Sequence, residues 1–165
     1  MRDKVYDVKT KTYKMIRQQL KCIPYRQIPK ETEHLILMEN EIEEIPGELF
    51  ETHVNLKTIE MYGNRLREIP ESIINLRDTL EVLNVEANRL ERLPEGIGEL
   101  SRLYYLSVGG NRLKTLPESF VELNGGGEFD FGYGNGNPNE MEYLSKAVVD
   151  KFGHRIPNVD KVELI

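Results

Sequence analysis

Four stretches of this chain of 165 residues repeat one pattern: MENEIEEIPGELF at 38–50, MYGNRLREIPESI at 61–73, VEANRLERLPEGI at 85–97 and VGGNRLKTLPESF at 108–120. Each sets an Asn two residues before one aliphatic residue, five before another and six before a Pro. The asparagines Asn40, Asn64, Asn88 and Asn111 follow one another at spacings of 24, 24 and 23. This period constrains the fold more than any composition does. One such unit cannot bury its apolar face alone and must stack on its neighbours.

The apolar positions keep the same offsets. Around Asn88 they are Leu80, Leu83, Val85, Leu90 and Leu93, then Ile97 and Leu100 beyond Pro94. The Asn64 unit has Leu56, Ile59, Met61, Leu66, Ile69, Ile73 and Leu76 at those places. The Asn111 unit has Leu103, Leu106, Val108, Leu113, Leu116, Phe120 and Leu123. The Asn40 unit keeps Leu35, Leu37, Ile42, Ile45 and Leu49, with Thr32 where the first Leu is expected. In Leu83-Asn84-Val85 a period of two turns Leu83 and Val85 inward and Asn84 outward, as in a short strand. The repeated Asn then turns the chain. Its amide has donors and an acceptor for turn groups that no ladder reaches. The Pro breaks any helix entering from upstream and restrains the outer segment.

The pattern L-x-x-L-x-L-x-x-N-x-L-x-x-L-P resembles the leucine-rich-repeat family, in its intracellular type with repeats of about 23 residues. The resemblance implies an α/β solenoid. A short parallel β-sheet would line the concave face, the convex side would be irregular or 3-10, and a helix would cap the C-terminal end. On this reading residues 32–123 are four repeats, 1–31 an N-terminal cap or degenerate repeat, and 124–165 a degenerate repeat and C-terminal cap with a helix.

Both ends stray from the pattern. Tyr13, Met15, Leu20, Ile23 and Pro24 fall on repeat offsets, with Gln18 in the Asn place. An amphipathic helix using Tyr13, Ile16 and Leu20 is the alternative, since short segments are ambiguous. Downstream, Phe129 and Phe131 alternate as strand residues, and Gly134 sits 23 after Asn111, which predicts a fifth, degraded coil. The glycines around it are not followed by the Lys that a phosphate-binding loop requires. Then NPNEMEYLSKAVVDKFG reads as a closing helix, N-capped by Asn139 with Glu142 completing the cap, stopped by Gly153, and facing inward through Leu144, Val148 and Phe152. The tail IPNVDKVELI predicts a last strand.

Little in the sequence points to chemistry. His34, His53 and His154 are scattered, with no Cys or carboxylate at metal-ligand spacing. No hydrolase, zinc-protease or kinase signature is present, so neither an enzyme nor a cofactor or metal is expected. Cys22 is the single cysteine, which rules out an internal disulfide and favours a reducing, cytoplasmic setting. No apolar run approaches the roughly 18–20 residues of a membrane span. The net charge of -6 hides an asymmetry: residues 1–30 hold nine Lys or Arg against Asp3 and Asp7, and the body is acidic. An acidic body disfavours nucleic acid as partner.

The remaining candidate is the outward set of strand positions. These are His34, Ile36 and Met38; Thr58, Glu60 and Tyr62; Val82, Asn84 and Glu86; and Tyr105 and Ser107. Thr12, Lys14 and Ile16 precede them, and Glu128, Asp130 and Gly132 follow. Ile36, Met38, Tyr62, Val82 and Tyr105 are apolar or aromatic where solvent is expected, which marks a binding surface for a protein partner. The expectation is a monomeric, non-catalytic adaptor or regulator. The alternative is a structural subunit that docks through its basic N-terminal end or its C-terminal segment.

Overall fold

The computed structural model describes residues 5–124, 126–132 and 141–165. Its main sheet holds β1 (Tyr6–Asp7), β2 (Thr12–Lys14), β3 (His34–Ile36), β4 (Thr58–Glu60), β5 (Val82–Asn84), β6 (Tyr105–Ser107) and β7 (Glu128–Asp130), paired in that order. From β2 onward every pair is parallel, and Tyr13, Leu35, Ile59, Leu83, Leu106 and Phe129 stand side by side. The shared offsets within each repeat produce this register, although successive paired residues lie 22 to 24 positions apart. Each coil returns the same offset to the same height, so inward residues meet inward residues. Strand β1 runs antiparallel to β2, a hairpin that the repeat offsets do not announce.

Pairing continues past the strands. Leu37 N donates to Glu60 O at 2.8 Å and Glu39 N to Tyr62 O at 2.8 Å; Met61 and Gly63 do the same toward Asn84 and Glu86. The Asn side chains then lock the turns. Asn88 Nδ2 donates to Met61 O and Val85 O, both at 3.0 Å, and its Oδ1 accepts from Leu66 N at 2.9 Å. Asn64 and Asn111 repeat this one coil on either side. Each amide therefore closes its own turn and that of the coil before it. Three residues before each Asn stand Leu37, Met61, Val85 and Val108, all fully buried.

On the outer side each Pro opens a tight turn. The carbonyls of Pro46, Pro70, Pro94 and Pro117 accept from the amides of Leu49, Ile73, Ile97 and Phe120, the residues that drop back into the core. The turns are 3-10 at Glu71–Leu76, Ile97–Glu99 and Glu118–Glu122. The Asn40 coil departs from the 3-10 expectation with a short α-helix, α1 (Glu48–Thr52). Leu49 and Phe50 anchor it, and buried His53 follows it, its Nε2 3.0 Å from Ile28 O. The outer turns pack closely where Gly98 passes Ser119: a Cβ on Gly98 would lie 1.8 Å from Ser119 O.

Of the two N-terminal alternatives the chain adopts the coil, with Tyr13 buried in β2. Gln18 does not act as an Asn there. Its own amide reaches only Ile16 O, while Gln18 N and Leu20 N donate to Asn40 Oδ1. At the other end Gly134 and Asn139 lie outside the described residues. The second helix, α2, spans Lys146–Phe152 and begins later than predicted, with the Ser145 hydroxyl accepting from Val148 N. Glu142 takes no part in its cap: Glu142 N bonds Lys114 O, and its carboxylate pairs with Lys114. The chain before the helix is occupied by β8 (Tyr143–Leu144), which pairs in parallel with β9 (Glu163–Leu164) as a small separate sheet. The predicted stop at Gly153 and the buried positions Leu144, Val148 and Phe152 are as expected. Phe152 sets its ring 5.1 Å from that of Phe120 and 5.4 Å from that of Phe129, both edge-on. Among the described residues no helix is long and apolar enough to cross a membrane.

Candidate functional site

The outward strand positions form three rows across the sheet. One row runs Thr12, His34, Thr58, Val82, Tyr105 and Glu128; the next runs Lys14, Ile36, Glu60, Asn84, Ser107 and Asp130. Met38, Tyr62 and Glu86 continue into a third row beside the Asn turns. Ten of the eleven residues expected at a binding face are partly exposed there, from His34 to Tyr105. Ser107 is the correction. Its offset is outward, but it is fully buried, because its short side chain lies between Asn84 and Asp130 and its hydroxyl donates to Glu86 Oε2 at 3.3 Å.

Local bonds hold several face residues still. The ring of His34 places Nδ1 3.0 Å from Thr58 Oγ1, and Asn84 Oδ1 accepts from Glu86 N at 3.1 Å. Burial pushes the Glu60 carboxyl above its ordinary range, opposed by a hydrogen bond from Asn84. The Tyr105 hydroxyl is likewise raised, first by burial and then by Asp130 beside it. Glu60 is thus held half away from water at the centre of the face, while Glu128 and Asp130 at its C-terminal edge are exposed.

Beside Tyr62 lies an open basin of about 470 Å³, lined by Arg17, Gln19, Glu39, Asn40, Glu41 and Gly63. Arg17 crosses it to Glu39 with two parallel bonds of 2.8 Å. The sequence reading missed this pair. The signal was available: Arg17 and Glu39 both directly precede the turn position and have opposite charge. Among the described residues no three His, Cys, Asp or Glu side chains converge as metal ligands would. Cys22 is exposed and unpaired.

Comparison with known proteins bears on the fold. A family model described as Leucine Rich Repeat matches residues 55–76, the coil of Asn64. No curated protein matches the chain. Among solved structures, a leucine-rich-repeat protein of Leptospira interrogans superposes with a TM-score of 0.59 at 24% identity, over 89% of this chain and 34% of that one. This chain therefore spans about a third of that protein's length. A chain of the BIR3–SERK2 complex from Arabidopsis thaliana gives 0.54 at 24% identity, over 79% of this chain and 67% of that one. One coil matching the family model, four aligned repeats and a solenoid shared with these structures give this chain the leucine-rich-repeat fold.

Proposed function

We propose that the chain is a non-catalytic protein-interaction module, an adaptor or regulator, that binds a protein partner through its concave strand face. One observation carries this reading. Ile36, Met38, Tyr62, Val82 and Tyr105 lie partly exposed on the strands of neighbouring coils or just past them, while the core is built from the opposite side of the same coils. Tyrosine offers large contact area with few rotors, so Tyr62 and Tyr105 are the proposed anchors. The chain acts as a monomer in the cytoplasm, without a cofactor, and its acidic body does not suit nucleic acid.

The test is affinity capture on the full chain from the host lysate. Tyr62→Ala with Tyr105→Ala is expected to leave the melting temperature nearly unchanged. Partner binding should weaken by about 2 kcal/mol, some thirtyfold. Normal capture by this variant would end the concave-face reading.

A second reading has its own observation. At the N-terminal end an open groove of about 460 Å³ is lined by Val5, Tyr6, Tyr13, Met15, Leu20 and Pro24. Exposed Lys9, Lys21 and Arg26 belong to the same basic end. A structural subunit docking by this end would lose its partner on charge reversal at Lys9 and Lys21 and keep it in the tyrosine variant.

A further inference from the structure

The carboxylates of this solenoid fall into two groups that are treated differently. Along the flanks they are paired from coil to coil: Glu33 with Lys11 and Lys57, Glu39 with Arg17, Glu41 with Arg65, Glu68 with Arg92 and Glu142 with Lys114. On the strand face Glu60, Glu86, Glu128 and Asp130 have no Lys or Arg partner among the described residues. The only cation at these offsets is Lys14, on β2 at the far side of the sheet. Apolar and acidic residues therefore stand side by side: Glu60 and Glu86 lie on the coils of Tyr62 and Val82, Ile36 is paired next to Glu60, and Glu128 and Asp130 follow on the strand beyond Tyr105. Neighbouring strands are about 4.8 Å apart, so Glu60 on β4 and Asp130 on β7 stand roughly 14 Å from one another, too far to share one ion. A single small cation does not satisfy such an arrangement. A row of Lys or Arg heads does, each on an aliphatic stem that packs on tyrosine.

We propose that the face takes a partner segment carrying Lys or Arg beside apolar residues, its apolar side chains over Ile36, Met38 and Val82 and its basic heads over Glu60, Glu86 and Asp130. This rests on the concave-face reading above and adds the chemistry of the occupant. Charge complementarity of this kind steers encounter and sets register. The half-buried Glu60 gains most, because a cation relieves the cost of holding its charge away from water.

The test uses a phage-displayed library of random 12-residue peptides, panned on the immobilised full chain at low salt. Peptides that combine Lys or Arg with aliphatic or aromatic residues are expected to be enriched. Their binding to the Glu60→Gln, Glu86→Gln, Asp130→Asn triple variant should be about tenfold weaker, and raising salt should weaken binding to the unaltered chain. The salt series in the unaltered chain stands even if the triple variant folds poorly. Enriched peptides with no basic preference, lost on Tyr62→Ala with Tyr105→Ala, would overturn this proposal and leave the concave-face reading intact. Peptides that bind both variants as well as the unaltered chain, or no enrichment at all, would overturn both. Light scattering that shows a dimer, dissociated by the triple variant, would also overturn it by making a second copy the occupant.

Discussion

The coils of Asn88 and Gln18 hold their turns by different means. Asn88 is 8% exposed and bonded to its own coil and the one before it. Gln18 is exposed, and its turn is closed from the next coil by Asn40. The difference shows what the repeated Asn is for. Its carboxamide oxygen serves the preceding coil, and among the described residues the Gln18 coil is flanked on that side by the antiparallel strand β1 rather than by another coil.

The largest expected effect breaks this comparison directly. Asn88→Leu strands Leu66 N and the carbonyls of Met61 and Val85 in a buried site, at about 1 to 3 kcal/mol for each group before relaxation. Gln18→Ala removes one exposed bond and should cost little. Denaturant melts that find the two equally damaging would show that the amide does not close the previous turn.

A second contrast lies at the C-terminal end, where aromatics replace the aliphatic ladder. Phe120, Phe129, Phe131 and Phe152 form one ring cluster, and Phe152 comes to it from α2. We expect α2 to act as the cap that covers this end. Phe152→Ala should then cost roughly 3 to 5 kcal/mol and expose apolar surface to a dye such as ANS. A melt unchanged from the parent would mean that the last coil stands without the helix.

Much of this was legible in the residues, because one spacing fixes strand, turn and core together. The strands at Val82–Asn84 and Tyr105–Ser107 follow from Leu83 and Leu106 alone. The start of α2 was misread because Asn139 and Glu142 make a plausible local cap, whereas pairing with Lys114 and with β9 fixes the chain through Leu144. Local signals cannot weigh such long-range partners. The burial of Ser107 was hidden for the same reason, since it depends on Glu86, which lies 21 residues away. The close pass at Gly98 is set by Ser119 on the next coil and left no mark of its own in the sequence.

A smaller effect tests the coils against one another at the residue before the Asn. Its backbone is left-handed in each coil, with φ of 54° at Glu39, 67° at Gly63, 53° at Ala87 and 61° at Gly110. Two coils meet the demand with Gly and two do not. A non-Gly residue is strained there by about 1 to 2 kcal/mol, and Gly gives back roughly 0.5 to 1 through chain entropy. Ala87→Gly should therefore stabilise the array by up to about 1.5 kcal/mol, read as a higher midpoint at unchanged slope. A lower midpoint would show that the neighbouring coils absorb the strain.

The smallest effect concerns the flank that ties the end coil to the middle. Glu33 on the Asn40 coil meets Lys11 at 2.5 Å and Lys57 at 2.6 Å, and these two ammonium groups bring its carboxyl down to about 2. An unfolded Glu titrates near 4.3. A depressed folded value means the native state holds its proton less tightly than the unfolded one. The contribution is therefore complete above about pH 5 and fades as pH falls toward 2. Solvent reaches all three groups, so screening keeps the effect modest, and salt should reduce it further. Glu33→Gln should flatten that part of the stability curve between pH 5 and pH 2 while leaving the neutral-pH face binding unchanged. If the parent and the variant lose stability in parallel over this range, the coil-to-coil pairs at the flank carry no weight in joining the terminal coil to the array.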